Sequence, residues 1–105
     1  MTRRWEVRVT SIAYEDAREA AAYMRDSLQS PTAAVDFIDA FEAQLEALET
    51  FPEGRALVAD YELARKGYRW CPVGNFMLFY TVDVDTGTVY VERLLYGARD
   101  WKSLL

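Results

Sequence analysis

Histidine is absent from this 105-residue sequence, and cysteine occurs once, as Cys71. The first absence removes imidazole acid–base chemistry, serine–histidine–aspartate triads and histidine-ligated metals. The second excludes a disulfide within one chain and any cysteine-built metal site. With no histidine to activate it, Cys71 reads as a small core residue and not as a nucleophile. No apolar run approaches the roughly 20 residues that span a bilayer. Glu6 and Arg8 interrupt what would have to be the apolar part of a signal peptide after Arg3 and Arg4. The expectation is a cytoplasmic protein with no membrane partner and no cofactor.

What is present belongs to a folded chain. Hydrophobic residues make up 51% and charged residues 28% of it, too apolar a mixture for disorder. The length suits one domain spanning residues 1–105. A domain of this size buries only roughly 60–65% of the surface its unfolded chain exposes, so a bound partner would add materially to its stability. The net charge is −5, which disfavours unspecific nucleic-acid binding. Most of that charge lies in residues 1–54, which net −6, whereas residues 55–105 net +1. An anionic ligand would therefore meet the second half; otherwise the acidic helix faces simply point at solvent.

Trp5, Val7 and Val9 alternate with polar residues, the period of a strand with one buried face. Thr10 or Ser11 can cap a helix over Ile12–Leu28, with Ala17, Ala21, Met24 and Leu28 as its apolar stripe. Ser30 and Pro31 suit the start of a second helix, Pro31–Thr50, with the stripe Ala34, Ile38, Phe41, Leu45 and Leu48. Phe51 is expected to close a hydrophobic contact before Pro52 and Gly54 end that helix. Residues 53–65 read as a loop with a short turn near Tyr61–Arg65. Strands follow at Tyr68–Cys71, Phe76–Val82 and Thr88–Tyr96, with a hairpin turn at Asp83–Gly87. The order β-α-α-β-β-β predicts an α+β domain: a helical hairpin packed on a small twisted, largely antiparallel sheet.

The last two strands are apolar on both faces. Phe76, Leu78, Tyr80 and Val82 share one face, and Met77, Phe79 and Thr81 the other. Strict alternation puts Val89, Val91, Arg93 and Leu95 together in the last strand. Two helices cover one side of such a sheet. The reverse side is then left for a partner, or the tail and the loop 53–65 cover it.

The run Phe51-Pro52-Glu53-Gly54-Arg55, then Gly67-Tyr68-Arg69, then Pro72-Val73-Gly74-Asn75-Phe76-Met77-Leu78-Phe79-Tyr80, resembles the RelE/ParE superfamily. So does the ending Val91-Glu92-Arg93-Leu94-Leu95-Tyr96-Gly97-Ala98-Arg99-Asp100-Trp101. The resemblance covers essentially the whole chain and implies the toxin of a type II toxin–antitoxin pair. It implies a cognate antitoxin that folds on binding, with operator DNA reached only through that antitoxin.

Two activities follow from the resemblance. ParE-like members poison DNA gyrase by binding. RelE-like members cleave mRNA on the ribosome without a metal, using cations and polar groups around the scissile phosphate. For such a nuclease the matching residues are Arg99, Arg93, Arg69 and Tyr96. The chain departs from that pattern at three places. Met77 stands where RelE-like toxins carry an arginine, and Leu105 where they carry a tyrosine. Tyr96 stands where many relatives carry histidine, and a phenol is a poorer base than an imidazole at neutral pH. These departures and the acidic balance favour the ParE-like reading.

Residues expected to contact target or antitoxin are Lys66, Arg69, Met77, Phe79, Arg93, Tyr96, Arg99 and Trp101. Four of them have a structural alternative. Arg93 pairs with a helix carboxylate, Arg99 pairs with Asp100, Trp101 packs the tail on the sheet, and Arg69 is a solvated strand residue. Glu46, Glu49 and Glu92 are conceivable general bases, though solvated helix faces explain the first two.

Overall fold

Alternation at the start of the chain yields strand β1 (Glu6–Val9), and the computed structural model, which describes residues 4–97 and 101–105, sets it at a sheet edge. Thr10 turns the chain into helix α1 (Ser11–Ala22), its hydroxyl accepting the Ala13 N–H at 3.1 Å. The regular helix ends six residues before the expected Leu28. Residues Tyr23–Ser27 form a π-helical turn, in which the Leu28 N–H reaches the Tyr23 carbonyl at 3.0 Å. Gln29 then adopts a left-handed φ of 51°, and the Ser30 N–H closes on the Met24 carbonyl at 2.9 Å. The widened turn rotates Leu28 off the stripe, and both it and Tyr23 stand exposed.

Helix α2 (Pro31–Leu48) starts as its sequence implies, with the Ser30 hydroxyl accepting the Ala33 N–H at 3.2 Å and Pro31 in the first turn. It stops two residues before Thr50. Phe51 does not close onto the helix: it is 71% exposed, and its ring lies over Gly54. A Cβ on Gly54 would sit 2.2 Å from that ring. The sheet-facing residues are Ala13, Ala17 and Ala20 of α1 and Phe37, Phe41 and Leu48 of α2. Ala21, Ala34, Ile38 and Leu45, which the periodicity groups with them, are only half-buried. The apolar stripes are thus wider than the surface the sheet covers.

After a short helix α3 (Tyr61–Arg65), capped by Asp60, come strands β2 (Arg69–Val73), β3 (Phe76–Asp83) and β4 (Thr88–Tyr96). The sheet order is β1-β4-β3-β2, with β1 parallel to β4 and the other pairs antiparallel. This is the expected α+β arrangement of a helical hairpin on a small, largely antiparallel sheet. Phe76, Leu78, Tyr80 and Val82 face the helices as alternation requires, and the buried Tyr80 hydroxyl donates to the Pro52 carbonyl at 2.5 Å.

Alternation fails in β4. Phe79 pairs with Arg93, but Tyr80 pairs with Val91, so Glu92 is an extra residue on β4. The bulge reverses the facing of everything after it. Val89, Val91 and Leu94 join the helix-side core, while Leu95 joins Phe79 and Met77 on the reverse face, with Arg93 opposite Phe79. The single-face grouping of Val89, Val91, Arg93 and Leu95 is therefore incorrect, because the alternation rule assumes an unbroken ladder.

The reverse face is not left for a partner. Val58 and Leu63, from the loop and α3, pack with Phe79 and Leu95 in a second buried cluster. Trp101, Leu104 and Leu105 of the tail complete the cover. The Trp101 ring lies 5.2 Å from that of Phe79, and Lys102 meets Asp60 at 3.3 Å. Phe79 has no exposed surface. Trp101→Ala should lower stability in urea unfolding by about 2–3 kcal/mol, through lost burial on the sheet. A loss below about 0.5 kcal/mol would mean that the tail carries none of that cover.

Candidate functional site

Strand β1 ends at Val9, so among the described residues the outer edge of β4 beyond Val91 has no strand partner. Residues at the start of α1 satisfy it instead. The Thr10 N–H donates to the Val91 carbonyl, and the Thr10 hydroxyl to the Glu92 carbonyl, both at 3.1 Å. The Leu94 N–H donates to Asp16 Oδ2 at 3.1 Å. The same carboxylate takes both forks of Arg93, Nε to Oδ2 at 2.7 Å and Nη2 to Oδ1 at 3.0 Å. Arg93 Nη1 donates to the Leu104 carbonyl at 3.2 Å, which ties the tail to the same point. The two side chains are 15% and 13% exposed, and the hydrogen bonds it donates to Asp16 hold the Arg93 guanidinium above its ordinary pKa.

Beside this clamp lies a groove of about 860 Å³ between the helices, the β2–β3 turn and the end of β4. Asp16, Glu19, Tyr23, Met24 and Leu28 form one wall; Asp36, Phe37 and Ala40 form the other; Asn75, Phe76, Leu94 and Tyr96 form the floor. Phe76 packs 5.1 Å from Phe37 and edge-on to Tyr96 at 5.6 Å. The groove is apolar below and carries carboxylates on its rim. A ligand that matched it would present an apolar face flanked by cations.

The residues expected from sequence do not converge. Tyr96 lines the groove and is 49% exposed, whereas Arg93 lies beyond the bulge on the opposite face. Lys66 is exposed at the end of α3. Arg69 opens β2 and donates to the Arg55 carbonyl at 2.5 Å. Met77 is half-buried in the reverse-face cluster, and Phe79 presents no surface to a partner. Trp101 is half-buried on Phe79, and Leu105 packs in the same cluster. Arg99 lies outside the described residues.

Of the conceivable general bases, Glu49 meets Arg4 at 2.6 Å, Glu92 accepts from the Thr81 hydroxyl at 3.0 Å, and Glu46 points to solvent. Among the described residues no group of three or more His, Cys, Asp or Glu is placed to hold a metal ion. Burial pushes the Cys71 thiol up to about 11.

Sequence reasoning missed Asp16, Glu19, Tyr23, Leu28, Asp36 and Phe37 as residues of one surface. Asp16 had a usable signal: an arginine inside an apolar strand demands a carboxylate, and α1 is the helix nearest that strand. Tyr23 and Leu28 had none, because the π-helical turn that exposes them leaves no mark in the apolar period.

The fold belongs to a known class of small toxins. The toxin–antitoxin system "Chromosomal ParDE TA system from P. aeruginosa" contains a chain that superposes with a TM-score of 0.71 at 14% identity. The match covers 90% of this chain and 98% of that one. A chain of the toxin–antitoxin complex RelBE2 from Mycobacterium tuberculosis superposes with a TM-score of 0.62 at 18% identity, covering 89% and 98%. Both likenesses show the RelE/ParE fold. The family model described as the ParE toxin of the type II toxin–antitoxin system parDE matches residues 7–101, and the chain belongs to that family. No curated protein matches the sequence.

Two measurements check the site. Asp16→Ala should destabilise the protein by about 3 kcal/mol, because it strands the Arg93 charge and leaves the Leu94 N–H unpaired at once. Tyr96→Ala, on the exposed groove floor, should cost about 1 kcal/mol or less. Equal losses in urea titrations would contradict the clamp. Cys71 should resist alkylation at pH 8 until the chain unfolds, since its raised pKa leaves little thiolate and the side chain is buried. Rapid reaction of the folded protein would contradict that burial.

Proposed function

We propose that this ParE-family chain arrests growth by binding a cellular target such as DNA gyrase, and that a cognate antitoxin neutralises it. The placement of Arg93 carries the preference for binding over RNA cleavage. Its guanidinium is held by Asp16 and the Leu104 carbonyl, and Tyr96 lies on the other side of the sheet. Phosphoryl chemistry needs cations and proton-transfer groups around one phosphate. Met77 and Leu105 at the other matching positions support the same preference.

The groove suits the antitoxin. A segment that folds on binding would lay apolar residues on Phe76 and Phe37 and set lysine or arginine against Glu19 and Asp36. A toxin and its antitoxin form the RelBE2 complex of Mycobacterium tuberculosis, which supports such a partner here. The net charge of −5 favours contact with operator DNA only through the antitoxin.

Purified protein should inhibit supercoiling by DNA gyrase, and the antitoxin should restore it. Primer extension on translated mRNA should show no cuts within codons. Codon-internal cuts that vanish in Arg99→Ala would replace this reading with ribosome-dependent RNA cleavage.

A further inference from the structure

The helix hairpin has a second apolar surface, which runs along α1 and α2 and reaches Val9 at the end of β1. Two adjoining hollows of about 500 and 390 Å³ run between α1 and α2 and share Ala21, Arg25 and Ile38. Ala21, Ile38 and Leu45 form the apolar floor of this valley, which reaches down to the buried Ala17 and Phe41 between the helices. Tyr14 and Val35 border it and are 63% and 58% exposed. These floor residues explain why the sequence stripes are wider than the core: Ala21, Ile38 and Leu45 belong to the outward valley.

The two banks carry opposite charge. Arg18 and Arg25 line the α1 side, and Asp39 and Glu42 line the α2 side. The arginines have local partners, Glu15 and Asp26, but these pairs are exposed and readily exchanged. Among the described residues Asp39 and Glu42 have no ion-pair partner.

We infer that a second copy of this chain docks on the valley to form a symmetric dimer. Opposite banks on one face make the surface complementary to itself under a two-fold axis parallel to the helices. That axis sets α1 of one copy against α2 of the other at equal height. Arg25 then meets Asp39 of the second copy, and Arg18 meets Glu42 of the second copy. Every neighbouring helix pair is antiparallel, as in a four-helix bundle. A two-fold axis across the helices would instead set arginine over arginine. The sheet-side groove has no such symmetry, because its rim is acidic throughout and a second acidic copy would be repelled.

Area sets the strength. At 1.5 Å per residue the 18-residue α2 is about 27 Å long. Two helices about 10 Å apart give a face of about 500 Å² per copy. The total of about 1,000 Å² is at the lower end for a specific interface, and with charge complementarity it fits a dimer that dissociates at micromolar concentration.

The inference does not depend on the proposed target. Sedimentation equilibrium of the purified chain tests it. The protein should dimerise with a micromolar dissociation constant. Arg25→Glu should raise that constant about tenfold, since two symmetric contacts become repulsive. Combining it with Asp39→Arg should restore the constant to within about threefold, a recovery that misfolding cannot produce. Three results overturn the inference. The chain stays monomeric to about a hundred micromolar; or it dimerises without regard to these charges; or Ile38→Glu abolishes antitoxin capture by a monomer, which assigns the valley to the antitoxin.

Discussion

One carboxylate, Asp16, satisfies the open edge of β4 and neutralises Arg93, and the two faces of the sheet depend on that junction. Without it the Leu94 N–H would lack a partner and the Arg93 charge a counter-ion, in a region only about one-seventh exposed. The bulge at Glu92 makes the junction possible, because it brings Arg93 to the reverse face while leaving Leu94 with the helices. Arg93 then holds the tail through the Leu104 carbonyl. A local irregularity in one strand thereby links the first helix to the last residues.

The tail and α3 cover Phe79 and Leu95 on the reverse face, and the open grooves among the described residues lie along the helices. There the hairpin has two apolar sides besides the core it covers. One is the acidic-rimmed groove beside Phe76 and Tyr96; the other is the outer valley with one basic and one acidic bank. Their charge patterns differ, and so do the partners they fit. A uniformly acidic rim selects a basic segment, whereas opposite banks select a copy of the same surface.

Most of the fold is legible in the sequence because it rests on local rules. Thr10 and Ser30 cap helices, Pro31 starts one, and Gly87 takes the positive φ of the β3–β4 turn. The alternation of Phe76 to Val82 places those residues on the correct faces. The candidate site was less legible. Family likeness and period group Arg93, Tyr96 and Phe79. One is consumed by Asp16, one lies across the sheet from it, and one is buried beneath Trp101. Adjacency in a motif says nothing about which side of a bulge a side chain leaves from.

By itself the sequence determined the α+β class and the order of elements, since propensity, capping and period act over a few residues; membership of the toxin family rests on the likeness of its motifs. The tertiary structure alone decided the ladder shift at Glu92, the π-helical turn at Tyr23–Ser27 and the closing of the reverse face by the tail. The ladder shift and the closing of the reverse face depend on contacts between segments far apart in the chain, and the π-helical turn on local hydrogen bonds that the apolar period does not mark. Asp16 and Arg93, 77 residues apart, meet only once the sheet edge and α1 are already in place.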